Sequence, residues 1–291
     1  MELALLIHEV RDLAPLPKAY FQIQQLINDA NSDLDDLTKV IVNDPGLTSR
    51  ILRISNSAYV GLSSKVDTIG RAIQILGLNQ IHDLALADAA VGSLQKIQSK
   101  ALNPYDFWRG SMYAAIVARV LAKRCKVQNA ERLFVSGLFH QIGNLLLAVK
   151  DPPAYSALRD GAIRRQIPLA QAQREELGYD YAEASAELLT HWRLPETLME
   201  PVRYHTREIP GNFALDTAII HLAAAFSRAA MWKSDADEPV PAFDLRAMNL
   251  TNLDEAMVEE LMTEADQQLI EAMSLLLPDL KKSKTLSRSA A

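Results

Sequence analysis

Hydrophobic residues recur along this chain at the three- and four-residue steps of helices. Leu3, Leu6, Ile7 and Val10 fall at i, i+3, i+4 and i+7, one face of an amphipathic helix. Leu34, Leu37, Val40 and Ile41 repeat the step behind Ser32, a cap residue type, until Asp44-Pro45-Gly46 ends the run. Leu47, Ile51, Leu52 and Ile54 make a second short stripe, and residues 61–64 read as a loop. Ile73, Leu76, Ile81 and Leu84 resume the pattern around a predicted bend at Gly77. After a break at Asn103, Pro104 suits the first position of a helix along which Met112, Ile116 and Val120 lie one turn apart. Further helices are predicted at about 129–149, 153–166, 168–177, 181–192, 195–205, 214–232 and 253–277. There is no hairpin signal and no alternating run of strand length, so the chain is predicted to be an all-α helical bundle.

Two shifts in composition divide the chain. Residues 93–103 are polar and end at a proline, which predicts an N-terminal helical module over 1–102 packed on a bundle of longer helices over 103–278. Residues 279–291 are expected to be a disordered basic tail, with Lys281, Lys282, Lys284 and Arg288. Residues 233–244, with Asp235, Asp237, Glu238, Pro239 and Pro241, read as an acidic surface loop. Met257, Leu261, Ala265, Leu269 and Met273 form a last helical stripe that either packs on the bundle or joins a homodimer.

Composition narrows the class. A chain of 291 residues, 49% of them hydrophobic, can bury a core without disulfide or metal staples. The single cysteine, Cys125, excludes an internal disulfide framework and fits a reducing compartment. A net charge of −6 supplies no overall basic stripe for nucleic acid. The start, Met1-Glu2-Leu3 with Glu9 and no early Lys or Arg, lacks the positive region of a signal peptide. The most apolar stretch, Phe134 to Val149, carries no charged residue but holds His140, Gln141 and Asn144. It is shorter than the roughly 20 residues that span a bilayer, so a buried core helix is expected. The expectation is a cytoplasmic protein that binds neither nucleic acid nor membrane.

The six histidines, His8, His82, His140, His191, His205 and His221, are the informative chemistry. Imidazoles and carboxylates gathered from different helices are what a helical metal-hydrolase site requires, because the ion must be held while its water becomes nucleophilic. The segment Gly137-Leu138-Phe139-His140-Gln141-Ile142-Gly143 resembles the His-Asp helix of the HD superfamily of metal-dependent phosphohydrolases, with Gln141 in place of the aspartate. Leu13-Ala14-Pro15-Leu16-Pro17, Val42-Asn43-Asp44-Pro45-Gly46-Leu47-Thr48 and Ile51-Leu52-Arg53-Ile54-Ser55-Asn56-Ser57-Ala58-Tyr59 are similar to the HDOD domain. Thr68-Ile69-Gly70-Arg71-Ala72-Ile73 and Leu76-Gly77-Leu78 continue that likeness in order, over roughly residues 13 to 230. The resemblance implies an all-helical fold, an N-terminal module on an HD-like bundle, found in bacterial signalling and regulatory proteins generally without demonstrated hydrolase activity.

Carried over residue by residue, the resemblance implies a degenerate metal site. Gly110 stands at the first histidine, Gln141 follows the retained His140, and Tyr181 replaces a further histidine. Tyr204 and His205 stand at the His-His pair, and Ala224 at the last aspartate. Two retained positions fall short of the three protein ligands a catalytic zinc keeps. Gly110, His140, Gln141, Tyr181, Tyr204, His205 and Ala224 therefore mark vestigial positions, with no metal, cofactor or hydrolase activity expected. Taken as ordinary residues, His140 is a hydrogen-bonded core histidine and His205 a helix-end cap or a polar lining of the cleft. His191-Trp192 reads as a turn with Trp192 in the core, and His221 and Asp216, five apart, match one helical face poorly. Asn56, Ser57 and Tyr59 either line a recognition surface or serve caps and turns. No nucleophile elbow or Gly-rich phosphate loop is present.

By analogy with the family, the expected function is a non-catalytic signal-transduction module acting through a protein partner. Two alternatives stay open. One is a diverged phosphohydrolase, a phosphodiesterase in which Asp180, Glu200 or Asp216 converge with His140 and His205. The other is a module that senses a nucleotide in the cleft without cleaving it.

Overall fold

The computed structural model describes residues 2–10, 15–29, 33–57, 65–232, 239–278 and 280. Among these residues every regular element is an α-helix, as the hydrophobic spacing predicts. In chain order they are α1 (Leu3–Val10), α2 (Lys18–Asn28), α3 (Leu34–Val42), α4 (Pro45–Ser55), α5 (Ile69–Leu76), α6 (Leu78–Leu94), α7 (Pro104–Arg124) and α8 (Ala130–Phe139). There follow α9 (Ile142–Lys150), α10 (Pro152–Arg165), α11 (Leu169–Leu177), α12 (Tyr181–His191), α13 (Glu196–Tyr204), α14 (Ala214–Met231), α15 (Leu245–Thr251) and α16 (Glu255–Leu276). Ser32, Tyr59, residues 61–64 and 233–238, and the tail with Lys281, Lys282, Lys284 and Arg288 lie outside the described residues.

Local chemistry sets most helix starts. Asp44, Asn103 and Asp151 each accept a backbone N–H from the first turn, with proline at the next position, where a missing N–H costs nothing. Asp33 and Asp180 form reciprocal capping boxes with Asp36 and Glu183. The cap of α3 is thus Asp33, one residue after the Ser32 expected from the sequence, because Asp36 stands three residues beyond it and completes the box.

The chain divides into two compact units, one of Met1–Leu13 with Ile97–Asp266 and the other of Ala14–Lys96 with Gln267–Ala291. In the second, α2 to α6 enclose a core that includes Ile23, Leu37, Ile41, Ile51, Ile69 and Ile73. The Asn56 side chain clasps Val66 by both backbone groups, at 2.6 and 2.7 Å, and the Ser57 hydroxyl donates to the Ile54 carbonyl. Both therefore serve turn and cap duties.

In the first unit α7 is buried along most of its length and packs against α8 and α14. The sequence predicts one helix over 129–149; the structure breaks it at His140 and Gln141. The cause is Ser185 on α12, whose hydroxyl oxygen accepts from the Gly143 N–H at 2.8 Å and lies 3.2 Å from the His140 carbonyl, its one proton having the Tyr181 carbonyl at 2.7 Å as the nearer acceptor. The Asn144 N–H turns instead to Gln141. Ala130–Lys150 is, among the described residues, the one stretch long and apolar enough to cross a membrane, and its most apolar part is mostly buried within the protein. Trp192 is buried edge-on against Phe139, the core position expected for it. Helix α15, capped by Asp244, was not expected from the sequence. Leu261, Ala265 and Leu269 on α16 are buried.

Candidate functional site

Packing explains the glycines that flank His140. A Cβ on Gly137 would stand 2.8 Å from the Ala114 oxygen, and one on Gly143 would stand 2.1 Å from the Tyr181 oxygen. The bare backbone of α8 thus presses on α7 and that of α9 on α12. His140 sits at the break between these two contacts and lines a cavity of about 410 Å³ enclosed by residues of the first unit.

Six of the seven positions singled out by the family resemblance line this one cavity: Gly110, His140, Gln141, Tyr181, His205 and Ala224. Tyr204 does not join them. It is the last residue of α13, and the helical step of about 100° that turns His205 inward carries its neighbour away.

The two histidines are held in one protonation state. The His140 Nδ1–H donates to the Gly137 carbonyl at 2.7 Å, and the His205 Nδ1–H donates to the Val202 carbonyl at 2.6 Å. Each ring therefore carries its lone pair on Nε2. Both side chains are buried, and burial pushes the His140 pKa down to about 4. Burial, and then the neighbouring His140, keep His205 well below its ordinary value. The rings meet edge to face with centroids 5.5 Å apart, and the Tyr181 ring lies 5.7 Å from that of His205. His205 Nε2 is buried and has no hydrogen-bond partner among the described residues. An unmet buried acceptor costs about 1–3 kcal/mol until a donor reaches it. His205 is thus both the cap of α13 and a lining of the cavity.

His221 also lines the cavity, and sequence reasoning missed its part. Its Nδ1–H donates to the His205 carbonyl at 2.8 Å and its Nε2 accepts the Asp244 N–H at 3.2 Å. The signal available in the sequence was its place on α14 one turn before Ala224. Gln141 turns its amide toward α7, donating to the Phe107 carbonyl at 3.1 Å and to Ser111 Oγ at 3.0 Å. It fills the room left at Gly110, where a Cβ would stand 3.3 Å from its Nε2.

The HD relationship implies a divalent metal, and this donor set does not fit one. Two neutral imidazoles and a glutamine braced on α7 bring no negative charge to the cavity floor. The three carboxylates that could have replaced the lost ligands are committed elsewhere. Asp180 accepts the Ala182 and Glu183 N–H groups and the Thr206 hydroxyl, and pairs with Arg174. Glu200 pairs with Arg203, and Asp216 with Arg132 at 2.8 Å. Among the described residues no three His, Cys, Asp or Glu side chains gather as a metal site would require.

The cavity wall is cationic. Among the described residues Arg109, Arg159, Arg174 and Arg228 line it, with Asp106 as the one carboxylate. Arg174 is balanced by Asp180, whereas Arg109 makes no ion pair with any described residue.

The helical bundle that carries this cavity has an HD-like fold, that of the solved structures it resembles. The chain belongs to the HDOD domain family, whose profile matches residues 13–208. It is 25% identical over 197 residues to an uncharacterized protein of Treponema pallidum; the match takes in 67% of this chain and only 38% of that protein. Its structure is similar to that of a Shewanella amazonensis protein provisionally named a phosphohydrolase, with a TM-score of 0.69 at 25% identity, covering 94% of this chain and 97% of the other. A Marinobacter aquaeolei protein provisionally named for signal transduction shares the fold, with a TM-score of 0.69 at 20% identity, covering 93% of this chain and 60% of that one.

Proposed function

We propose that this chain is a non-catalytic regulatory module that works in signal transduction by binding a protein partner. The observation that carries the reading is the commitment of Asp180, Glu200 and Asp216 to arginines, backbone amides or a hydroxyl, with none of the three lining the cavity that holds His140 and His205. A diverged hydrolase needs carboxylates gathered with the imidazoles to balance an ion's charge, and among the described residues no such group of three forms. The fold shared with a protein named for signal transduction agrees with this reading.

The test is to purify the whole chain with iron, manganese and zinc supplied, then measure bound metal and the hydrolysis of nucleotides and cyclic dinucleotides. The expected result is metal far below one ion per chain and no turnover. Stoichiometric metal, with turnover abolished by His140→Ala, would overturn the proposal. Affinity capture from the source cell, repeated with the captured protein as bait, would identify the partner.

A further inference from the structure

We propose that the cavity of the first unit binds a small molecule that carries an oxyanion at one end and uncharged hydrogen-bond donors at the other, a polyhydroxylated phosphate or carboxylate. The inference rests on the non-catalytic reading, because the ligand is held and released intact.

The buried end dictates the donors. His140 and His205 both present Nε2 lone pairs there, since each spends its Nδ1–H on a carbonyl of its own helix. His205 Nε2 has no partner among the described residues. Both imidazoles accept and neither donates, so an anionic group at this end would meet lone pairs and be repelled, whereas a hydroxyl or N–H is welcome. A buried ammonium would carry its charge into a wall that already holds four arginines, which favours a neutral donor.

The opposite requirement comes from the half-buried rim. Arg109 lies on α7 one residue before Gly110 and has no carboxylate partner among the described residues, and Arg159 and Arg228 line the same space. A partly desolvated guanidinium binds phosphate or carboxylate by charge-assisted, often bidentate hydrogen bonds. The volume of about 410 Å³ lies toward the small end of the range of small-molecule sites, which suits one compact ligand and not a chain of residues or nucleotides.

The test is calorimetric titration of the whole chain with ribose 5-phosphate and with gluconate, inorganic phosphate serving as the probe without a donor end, followed by NMR of the recovered ligand. At least one of the two polyols is expected to bind one per chain, the tighter of them telling phosphate from carboxylate, with inorganic phosphate about tenfold weaker or worse. Arg109→Gln, which breaks no ion pair among the described residues, is expected to weaken binding about tenfold with an unchanged melting temperature. His205→Leu is expected to weaken it as well, and where that variant does not fold the Arg109 variant decides. Failure of both polyols to bind, equal affinity for inorganic phosphate, or indifference to Arg109→Gln overturns this inference and leaves the non-catalytic reading standing. Release of inorganic phosphate from ribose 5-phosphate overturns both.

Discussion

Gly143 lies so close to Tyr181 that a Cβ at position 143 would stand 2.1 Å from the Tyr181 carbonyl oxygen. That approach lets Ser185 reach across from α12 and take the Gly143 N–H that would have continued α8 into α9. The break at His140, and with it the floor of the cavity, follows from a missing methyl group.

Gly143→Ala is therefore expected to force α9 from α12, since the obstacle is backbone on one side and the Ala184 methyl at 2.8 Å on the other. Overpacking of a buried contact costs about 1–3 kcal/mol and more where neither side can yield. Urea denaturation should place the variant at or beyond the upper end of that range. A loss well under 1 kcal/mol would show that the two helices separate freely.

The sequence made legible what neighbouring residues decide. Asn103-Pro104 marks a helix start by bonds within four residues and the observed start follows it, while Asp44-Pro45-Gly46, read as the end of one helix, also caps the next. What it could not show depends on distant partners. The break at His140 is set by Ser185, 45 residues on, and the part played by His221 by a bond to the His205 carbonyl. The family resemblance located six cavity positions but said nothing of Arg109 or Arg228, because a guanidinium at a rim leaves no periodic trace. Helix α15 escaped because its seven residues follow an acidic, proline-containing run and are anchored by the Asp244 cap and by Arg246 bonding to the Ile209 carbonyl.

Restoring the aspartate of the HD pattern is expected to cost stability without creating a metal site. Gln141→Asp removes two donated hydrogen bonds, to Phe107 and Ser111, and sets an acceptor-only group where the amide met a carbonyl. The loss of buried partners is worth about 1–3 kcal/mol. Thermal melts should show the drop, and the same melts with excess manganese should show no recovery. A manganese-dependent rise in the variant alone would mean that one carboxylate suffices to complete the site.

Asp180 should be among the costliest polar residues to change. It is fully buried, caps α12 through Ala182 and Glu183, and meets Arg174 and the Thr206 hydroxyl. Asp180→Asn keeps the shape and a capping oxygen but leaves the guanidinium of Arg174 without its counter-charge. Removing one partner of a buried pair typically costs roughly 3–5 kcal/mol; the 31% exposure of Arg174 moves the expectation to the lower end. Chemical denaturation of the variant measures it, and a change under about 1 kcal/mol would show that the pair contributes nothing to the fold.

The neutral imidazoles make the fold sensitive to mild acid. His140 titrates near 4 in the folded chain and His205 well below its ordinary value, while in the unfolded chain each titrates near 6.5. Above about pH 6.5 neither state takes up a proton at these sites, and their contribution to stability is fully present. As the pH falls below that value the unfolded chain gains protons that the folded chain refuses, so stability declines toward pH 4. The decline is about 1.4 kcal/mol for each pH step between the two values, on the order of 3 kcal/mol for His140. Urea midpoints followed from about pH 7.5 to about pH 5 isolate the effect above the range where most carboxylates titrate. The decline should be steeper in the native chain than in His140→Gln, which has no proton to refuse. Equal slopes would show that His140 takes up its proton without leaving the fold.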